Sequence, residues 1–179
     1  ELVMEPGLYT LVENTPHLDS DRMLTPAERL ENPMKDIELP DDAGLDLFRI
    51  GEHHREEYLS STPTTILAAA AARTQQIQLS RAVTVLGPDD PVRAYQQFAT
   101  IDQLSQGRAE IMVGRGSFVE SFPLFGCDLQ DYEELFEEKL DLLLKLRENE
   151  TISWSGKHRP DIDNRGVYPQ PFKEQIPVW

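Results

Sequence analysis

The chain has 179 residues, which suits one domain or part of a larger one, and its 39% hydrophobic content is enough for a packed core. Its 17 basic and 32 acidic residues leave a formal net charge of −15, which repels phosphate backbones and anionic lipids. We therefore expect no nucleic acid and no membrane as partners. The single cysteine, Cys127, and the lack of a visible leader peptide or long apolar stretch favour the cytoplasm.

Strand-like apolar runs alternate with helical periodicity along the chain. The predicted strands are 7–13, 45–50, 77–87 and 108–114, and the predicted helices are 25–44, 62–76, 90–107 and 131–149. Thr25, Thr62 and Asp90 each precede a proline, a pairing that is typical of a helix start. Pro33 and Pro40 are expected to weaken the first helix. The stretch after the fourth helix is interpreted as a linker, and a fifth strand begins at the end of the chain.

The alternation of strand and helix predicts a parallel sheet, because parallel strands need a crossover and a helix normally supplies it. A doubly wound nucleotide-binding sheet would carry a glycine-rich turn after its first strand, and the segment TLVENTPHLDSD contains no glycine. We therefore predict an α/β fold of the (β/α)8 TIM-barrel type. Residues 1–179 would supply four βα units and the start of a fifth strand, which is roughly the first half of such a barrel.

The sequence RIGEHHREEY places Glu52, His53 and His54 directly after the second predicted strand. Reactive residues of a (β/α)8 barrel gather at the carboxyl ends of its strands, so these side chains are expected at the barrel mouth. An imidazole there can give or take a proton near neutral pH. A zinc site at these three residues is an alternative. Adjacent strand-end histidines normally point in different directions, however, so a closed ligand shell would need His17 or His158.

Four segments make the chain similar to one known family. They are GEHH after the second strand, SRAVTVLGPDDPVRAYQQFATIDQLSQGR across the third strand and helix, GRGSFVESFPLFG after the fourth strand, and YPQPFKEQIPVW at the end. With these segments the chain resembles the luciferase-like, flavin-dependent monooxygenases, whose members form (β/α)8 barrels. The resemblance covers most of the chain and implies that it is the N-terminal part of such an enzyme.

The resemblance implies roles for residues after the second strand and within the third. His53 matches the catalytic histidine of the family, which manages a proton during oxygenation. Glu52 would lie beside the isoalloxazine ring. The family packs small residues of the third strand against the ring, so Ala82 and Val83 would contact the flavin and share a non-proline cis peptide bond.

The resemblance also assigns the segment after the fourth strand to the flavin. Gly114 and Gly116 would let the backbone approach the cofactor closely. Arg115 would present its guanidinium to the flavin or its phosphate, and Ser117 would donate a hydrogen bond. The flavin interpretation requires no metal ion.

The activity implied by the resemblance is a monooxygenase in which reduced FMN and O2 form a C4a-peroxyflavin that oxidises a small organic substrate. Some relatives use a deazaflavin coenzyme, so a deazaflavin-dependent oxidoreductase stays open, as does a non-catalytic flavin-binding half-barrel module. A flavin reductase is a further candidate partner. Because half a barrel has two unpaired strand edges, we expect a homo-oligomer such as a dimer, or association with the missing half-barrel.

Overall fold

The computed structural model describes residues 4–17 and 19–179. Its strands are β1 (Gly7–Thr10), β2 (Leu47–Ile50), β3 (Gln78–Arg81), β4 (Thr84–Val85), β5 (Val113–Gly114), β6 (Thr151–Trp154) and β7 (Ile162–Gly166). Its helices are α1 (Pro26–Asp42), α2 (Pro63–Ala71), α3 (Pro91–Ser105), α4 (Ser121–Leu124) and α5 (Tyr132–Glu148), with a 3-10 turn over Leu129–Asp131.

The main sheet is parallel and follows chain order. β1, β2 and β3 pair in parallel over all four residues of each strand. β3 leads into β4, which pairs in parallel with β5, and a parallel bridge between Leu79 and Ala109 joins the two pieces. Ile111 and Val178 form another parallel bridge, so the end of the chain continues the same order. The strands and their helical crossovers agree with the predicted parallel sheet.

The four predicted helices begin where the sequence indicates, and two of them, α1 and α3, have a side-chain cap. The Thr25 hydroxyl accepts a hydrogen bond from the Glu28 N–H at 3.3 Å, and the Glu28 carboxylate accepts one from the Thr25 N–H at 2.8 Å. This reciprocal pair is a capping box at the start of α1. Asp90 accepts hydrogen bonds from two backbone N–H groups at the start of α3. Thr62 makes no such bond, although Pro63 still opens α2.

Prolines do not interrupt α1, contrary to the expectation that they would weaken this helix. The helix continues through Pro33 and Pro40, and both side chains are buried. Their burial offsets the free-energy cost of the backbone hydrogen bonds that a proline cannot donate.

The structure corrects three predicted segments. The stretch interpreted as a linker contains an antiparallel hairpin, β6 and β7. The predicted strand 77–87 is divided into β3 and β4. The predicted helix 62–76 ends at Ala71, because the backbone N–H groups of residues 75–77 donate to the carboxylate of Asp41 instead of continuing the helix.

Helices and strands share one hydrophobic core. Its fully buried side chains include Phe48, Ile50, Leu79, Tyr95, Phe98 and Ile111. Residues of α5 and β6 also belong to this cluster, which places the hairpin against the same core as the parallel sheet. No helix in residues 4–17 and 19–179 is long and apolar enough to cross a membrane.

Candidate functional site

The carboxyl ends of β2, β4 and β5 converge at one end of the sheet. A cavity of about 20 Å³ lies there, and its lining includes Glu52, His53, Val85, Gly116 and Ser117. Parallel strands carry their carboxyl ends to the same edge, which explains why residues so distant in sequence meet. The structure thus brings together Glu52, His53 and Ser117, which the sequence analysis singled out.

The His53 imidazole lies against two aromatic rings. Its centroid is 4.5 Å from the ring of Tyr58 and 4.7 Å from the ring of Phe118. Its Nδ1 atom is buried and has no hydrogen-bond partner among the described residues. Burial lowers the pKa of His53 below its ordinary value of 6.5, and the carboxylate of Glu120 opposes this shift. The ring is therefore largely neutral at pH 7, with one nitrogen available for a proton or a hydrogen bond.

Glu52 belongs to a buried ionic network. Its carboxylate contacts the guanidinium of Arg81, and its Oε1 atom lies 2.9 Å from Nε2 of His54. Arg81 donates in turn to Asp89 at 3.0 Å. The side chains of Glu52, Arg81 and His54 are only 6%, 4% and 9% exposed. A buried carboxylate that is paired in this way is held in one orientation, and removing either partner would leave an uncompensated charge.

Arg81, like Tyr58 and Phe118, is a site residue that the sequence analysis did not single out. It is the only charged residue in the apolar run IQLSRAVTVLG, and a charge in a predicted buried strand indicates a buried partner. Arg81 and Glu52 also line a second cavity of about 200 Å³, next to the start of α2. Glu52 therefore borders both cavities while its carboxylate is engaged by Arg81 and His54.

Ala82, Val83 and Gly114 are half-buried, and we call this group the strand-end surface. Its two segments continue into Val85 and Gly116, which line the cavity of His53. The peptide bond between Ala82 and Val83 is cis, as the resemblance implies. A Cβ atom at Gly114 would lie only 2.5 Å from Cγ2 of Val83, so the close approach of these two segments requires glycine. Gly116 has a φ of +77°, a conformation that side chains rarely adopt.

Arg115 is not brought to this surface. Its guanidinium pairs with the carboxylate of Glu133 in α5 and lies 5.7 Å from the centre of the Phe136 ring. The flavin contact predicted for Arg115 would require this side chain to leave α5.

The histidines of the EHH sequence do not share a metal position. His53 lies against Tyr58 and Phe118, whereas His54 contacts Glu52 and lies 5.3 Å from the Phe125 ring. A different group of possible ligands, from α5 and the β6–β7 loop, is found close together in the described part of the chain. The geometry therefore favours proton chemistry over zinc at the strand ends.

Comparison with known proteins identifies the family. The family model described as luciferase-like monooxygenase matches residues 4–179, and the chain belongs to this family. It is 30% identical to the uncharacterized protein y4wF of Sinorhizobium fredii over 165 residues, which are 91% of this chain and 48% of that protein. It is 31% identical to limonene 1,2-monooxygenase of Rhodococcus erythropolis over 118 residues, 65% of this chain and 30% of that enzyme.

Solved structures share the fold. Monooxygenase RslO1 from Streptomyces bottropensis gives a TM-score of 0.85 at 24% identity, over 98% of this chain and 52% of that one. The oxygenating constituent of 3,6-diketocamphane monooxygenase from Pseudomonas putida was solved with FMN. It gives a TM-score of 0.82 at 19% identity, over 99% of this chain and 51% of that one. An F420-dependent secondary alcohol dehydrogenase gives a TM-score of 0.75 at 19% identity, over 99% of this chain and 52% of that one. The chain has the fold of this TIM-barrel family and spans about half the length of these proteins, or less.

Proposed function

We propose that this chain is the N-terminal part of a flavin-dependent monooxygenase that uses reduced FMN and O2 to oxidise a small organic substrate. The observation that carries the proposal is the buried Nδ1 of His53, which has no hydrogen-bond partner among the described residues. It lies in a cavity lined by Val85 and Gly116, which continue the two segments of the strand-end surface. Family membership and the FMN-bound neighbour of the same fold support it. The activity belongs to the complete protein, because the chain covers about half of its relatives.

The residues at the strand ends fit a flavin ring, although the small cavity does not. Its volume of about 20 Å³ is no larger than the space of one water molecule. A planar tricyclic ring would instead lie against Ala82 and Val83, which are half-buried and carry small, uncharged side chains. Gly114 leaves that surface free of a further side chain. When bound there, reduced FMN would supply the electrons that activate O2.

His53 would manage the proton that this chemistry requires. Its lowered pKa keeps the imidazole neutral at pH 7, so it can accept a proton and return it later in the cycle. Tyr58 and Phe118 hold the ring by aromatic contact and limit water around it. Glu52 is held in place by Arg81 and His54, so it would add a fixed negative charge beside the edge of the flavin ring. Ser117 would donate a hydrogen bond to the flavin, and Arg115 would reach it only after leaving Glu133.

The rest of the binding site would come from additional protein. β1 pairs only with β2 among the described strands, and Leu8 and Tyr9 on it are 42% and 55% exposed. An open strand edge with exposed apolar side chains favours pairing. We infer that the remaining half of the barrel, or a second copy in a homodimer, covers this edge, and that a flavin reductase supplies the reduced flavin. Light scattering of this chain alone should give a mass above the 20.4 kDa monomer; a stable, dispersed monomer would contradict the inference.

A deazaflavin-dependent oxidoreductase is the second candidate. The F420-dependent alcohol dehydrogenase of the same fold favours it, since the strand-end surface does not distinguish the two ring systems. Such an enzyme would transfer a hydride and consume no O2. Oxygen uptake therefore separates the two candidates.

Oxygen consumption by the complete protein tests the proposed function. The protein is supplied with reduced FMN and a long-chain aldehyde, and turnover is compared between the natural sequence, His53→Ala and the exposed control His17→Ala. We expect His53→Ala to lower turnover by roughly 10² to 10⁴, the usual loss on removing a general acid or base, with FMN affinity nearly unchanged. The His17→Ala variant should behave like the natural protein.

Each other outcome has a distinct meaning. Unaltered turnover in His53→Ala would refute the role of His53. Tight flavin binding without turnover in any variant would indicate the non-catalytic flavin-binding module. Activity with reduced deazaflavin and no oxygen uptake would indicate the second candidate.

A further inference from the structure

Three potential metal ligands meet where α5 begins and the β6–β7 hairpin turns. Asp131 precedes α5, Glu134 lies in its first turn, and His158 belongs to the loop between β6 and β7. One ligand atom from each lies within 4.8 Å of the other two. Residues at i and i+3 share a face of a helix, so the two carboxylates point to the same side and the loop brings the imidazole to them.

His158 is buried without a hydrogen-bond partner for its ring nitrogen. Its side chain is 10% exposed, and Nε2 is buried with no partner in the described part of the chain. This atom lies 3.5 Å from Oε2 of Glu134. The backbone N–H of His158 donates to the Glu138 carboxylate at 3.0 Å, which fixes the loop in place. A buried polar nitrogen without a partner is costly, so its position next to two carboxylates calls for a ligand.

A cation already sits among these carboxylates. The ammonium of Lys157 lies 2.6 Å from Oε2 of Glu134 and 3.9 Å from Oδ1 of Asp131. The lysine side chain is 62% exposed, so it can move into solvent without leaving a buried charge. The positive end of the helix dipole opposes a cation at this terminus, but the carboxylates of Asp131 and Glu134 offset it.

We propose that Asp131, Glu134 and His158 form a zinc site in which the metal ion displaces Lys157. Ligands about 2.0–2.2 Å from a tetrahedral zinc ion lie roughly 3.3–3.5 Å from one another, which matches the distance between His158 and Glu134. Movement of the Asp131 carboxylate toward them completes a set of one nitrogen and two oxygens, and water fills the fourth position. Imidazole selects zinc over Mg²⁺ and Ca²⁺. The ion would tie the hairpin to α5, independently of the proposed flavin chemistry.

Titration calorimetry with ZnCl2 tests the site on the metal-free protein. The natural sequence is compared with His158→Ala, Glu134→Gln and Lys157→Ala, and with His17→Ala as the control, since His17 is an exposed histidine beside an aspartate. Mg²⁺ serves as the second titrant. Circular dichroism of each variant verifies that it is folded, and thermal unfolding with and without zinc gives an independent reading.

We expect one zinc ion to bind per chain, and His158→Ala and Glu134→Gln to weaken its affinity by at least about tenfold. Changing a residue that only hydrogen-bonds to a metal ligand already costs about that much, and these variants remove a ligand itself. Lys157→Ala should tighten binding roughly threefold to tenfold by removing the competing cation. His17→Ala should change nothing, zinc should raise the melting temperature, and Mg²⁺ should not bind. Zinc affinity that is the same in folded His158→Ala as in the natural sequence would overturn the site, as would no binding at all.

Discussion

Replacing Arg108 with alanine should destabilise the protein strongly while leaving the strand-end surface intact. Arg108 follows the LSQG sequence at the end of α3, and its guanidinium is buried. It donates to the carbonyl oxygens of Ser105, Ala71, Thr74 and Ile77 and to the Thr74 hydroxyl, all at 2.8–3.0 Å. Every N–H group of the guanidinium is therefore used, and one side chain holds the end of α2, the turn before β3 and the end of α3.

The expected loss in the free energy of unfolding follows from these hydrogen bonds. In Arg108→Ala, four buried carbonyl groups lose their donor, and at about 1 kcal/mol each the free energy of unfolding falls by about 4 kcal/mol. This lies within the range for breaking a buried charged network. Arg108→Lys keeps the charge, but the lysine ammonium has three donors and lacks the planar shape of the guanidinium. We therefore expect the free energy of unfolding to fall by about 2 kcal/mol.

Urea unfolding followed by tryptophan fluorescence measures these changes. Arg93→Ala is the matched control, because Arg93 is an exposed arginine of α3, the helix that Arg108 follows. It should change the free energy of unfolding by less than about 0.5 kcal/mol. A loss below about 1 kcal/mol in Arg108→Ala would refute the reasoning, because it would mean that the four carbonyl groups find other donors at little cost.

Three further predictions concern the loop after α2, Gly114 at the strand ends and His53. Burial raises the pKa of Asp41, but hydrogen bonds from the N–H groups of residues 75–77 outweigh burial and leave it below 3.8. The stabilising effect of the carboxylate is therefore present above pH 3.8 and is lost as the pH falls through the lowered pKa. Asp41→Asn should cost about 2 kcal/mol at pH 7, measured by urea unfolding, and this cost should shrink as the pH falls through the lowered pKa. Gly114→Ala should cost about 1–3 kcal/mol, because the new methyl group meets Val83, and an unchanged melting temperature would contradict this. An NMR titration of His53 should give a midpoint below 6.5, and a midpoint at or above 6.5 would contradict its burial. With a lowered pKa, the histidine reduces the stability of the fold as the pH falls from 6.5 through that pKa.

Local signals in the sequence are sufficient for the starts of the four predicted helices and for the strand order. Thr25 and Asp90 precede prolines, and the structure confirms both as caps, because capping depends only on residues within one turn. The clustering of strand-end residues also follows from parallel topology, which explains why Glu52, His53 and Ser117 meet as expected.

Features that depend on distant partners are not predictable in this way. The Arg81 network joins three segments, and nothing near Arg81 in sequence identifies Glu52 as its partner. Arg115 follows a strand end as a flavin contact would, yet it binds Glu133 because α5 passes beside it. The β6–β7 hairpin is short and mostly exposed, so it lacks the apolar alternation by which a strand is recognised.

A crystal structure of the complete protein with FMN tests the central claim most directly. We predict that the isoalloxazine ring lies within about 4 Å of Ala82, Val83 and Gly114, at van der Waals distance, with His53 beside it at the same end of the sheet. A flavin bound at the amino ends of the strands, or at a site without these residues, would contradict the proposed function.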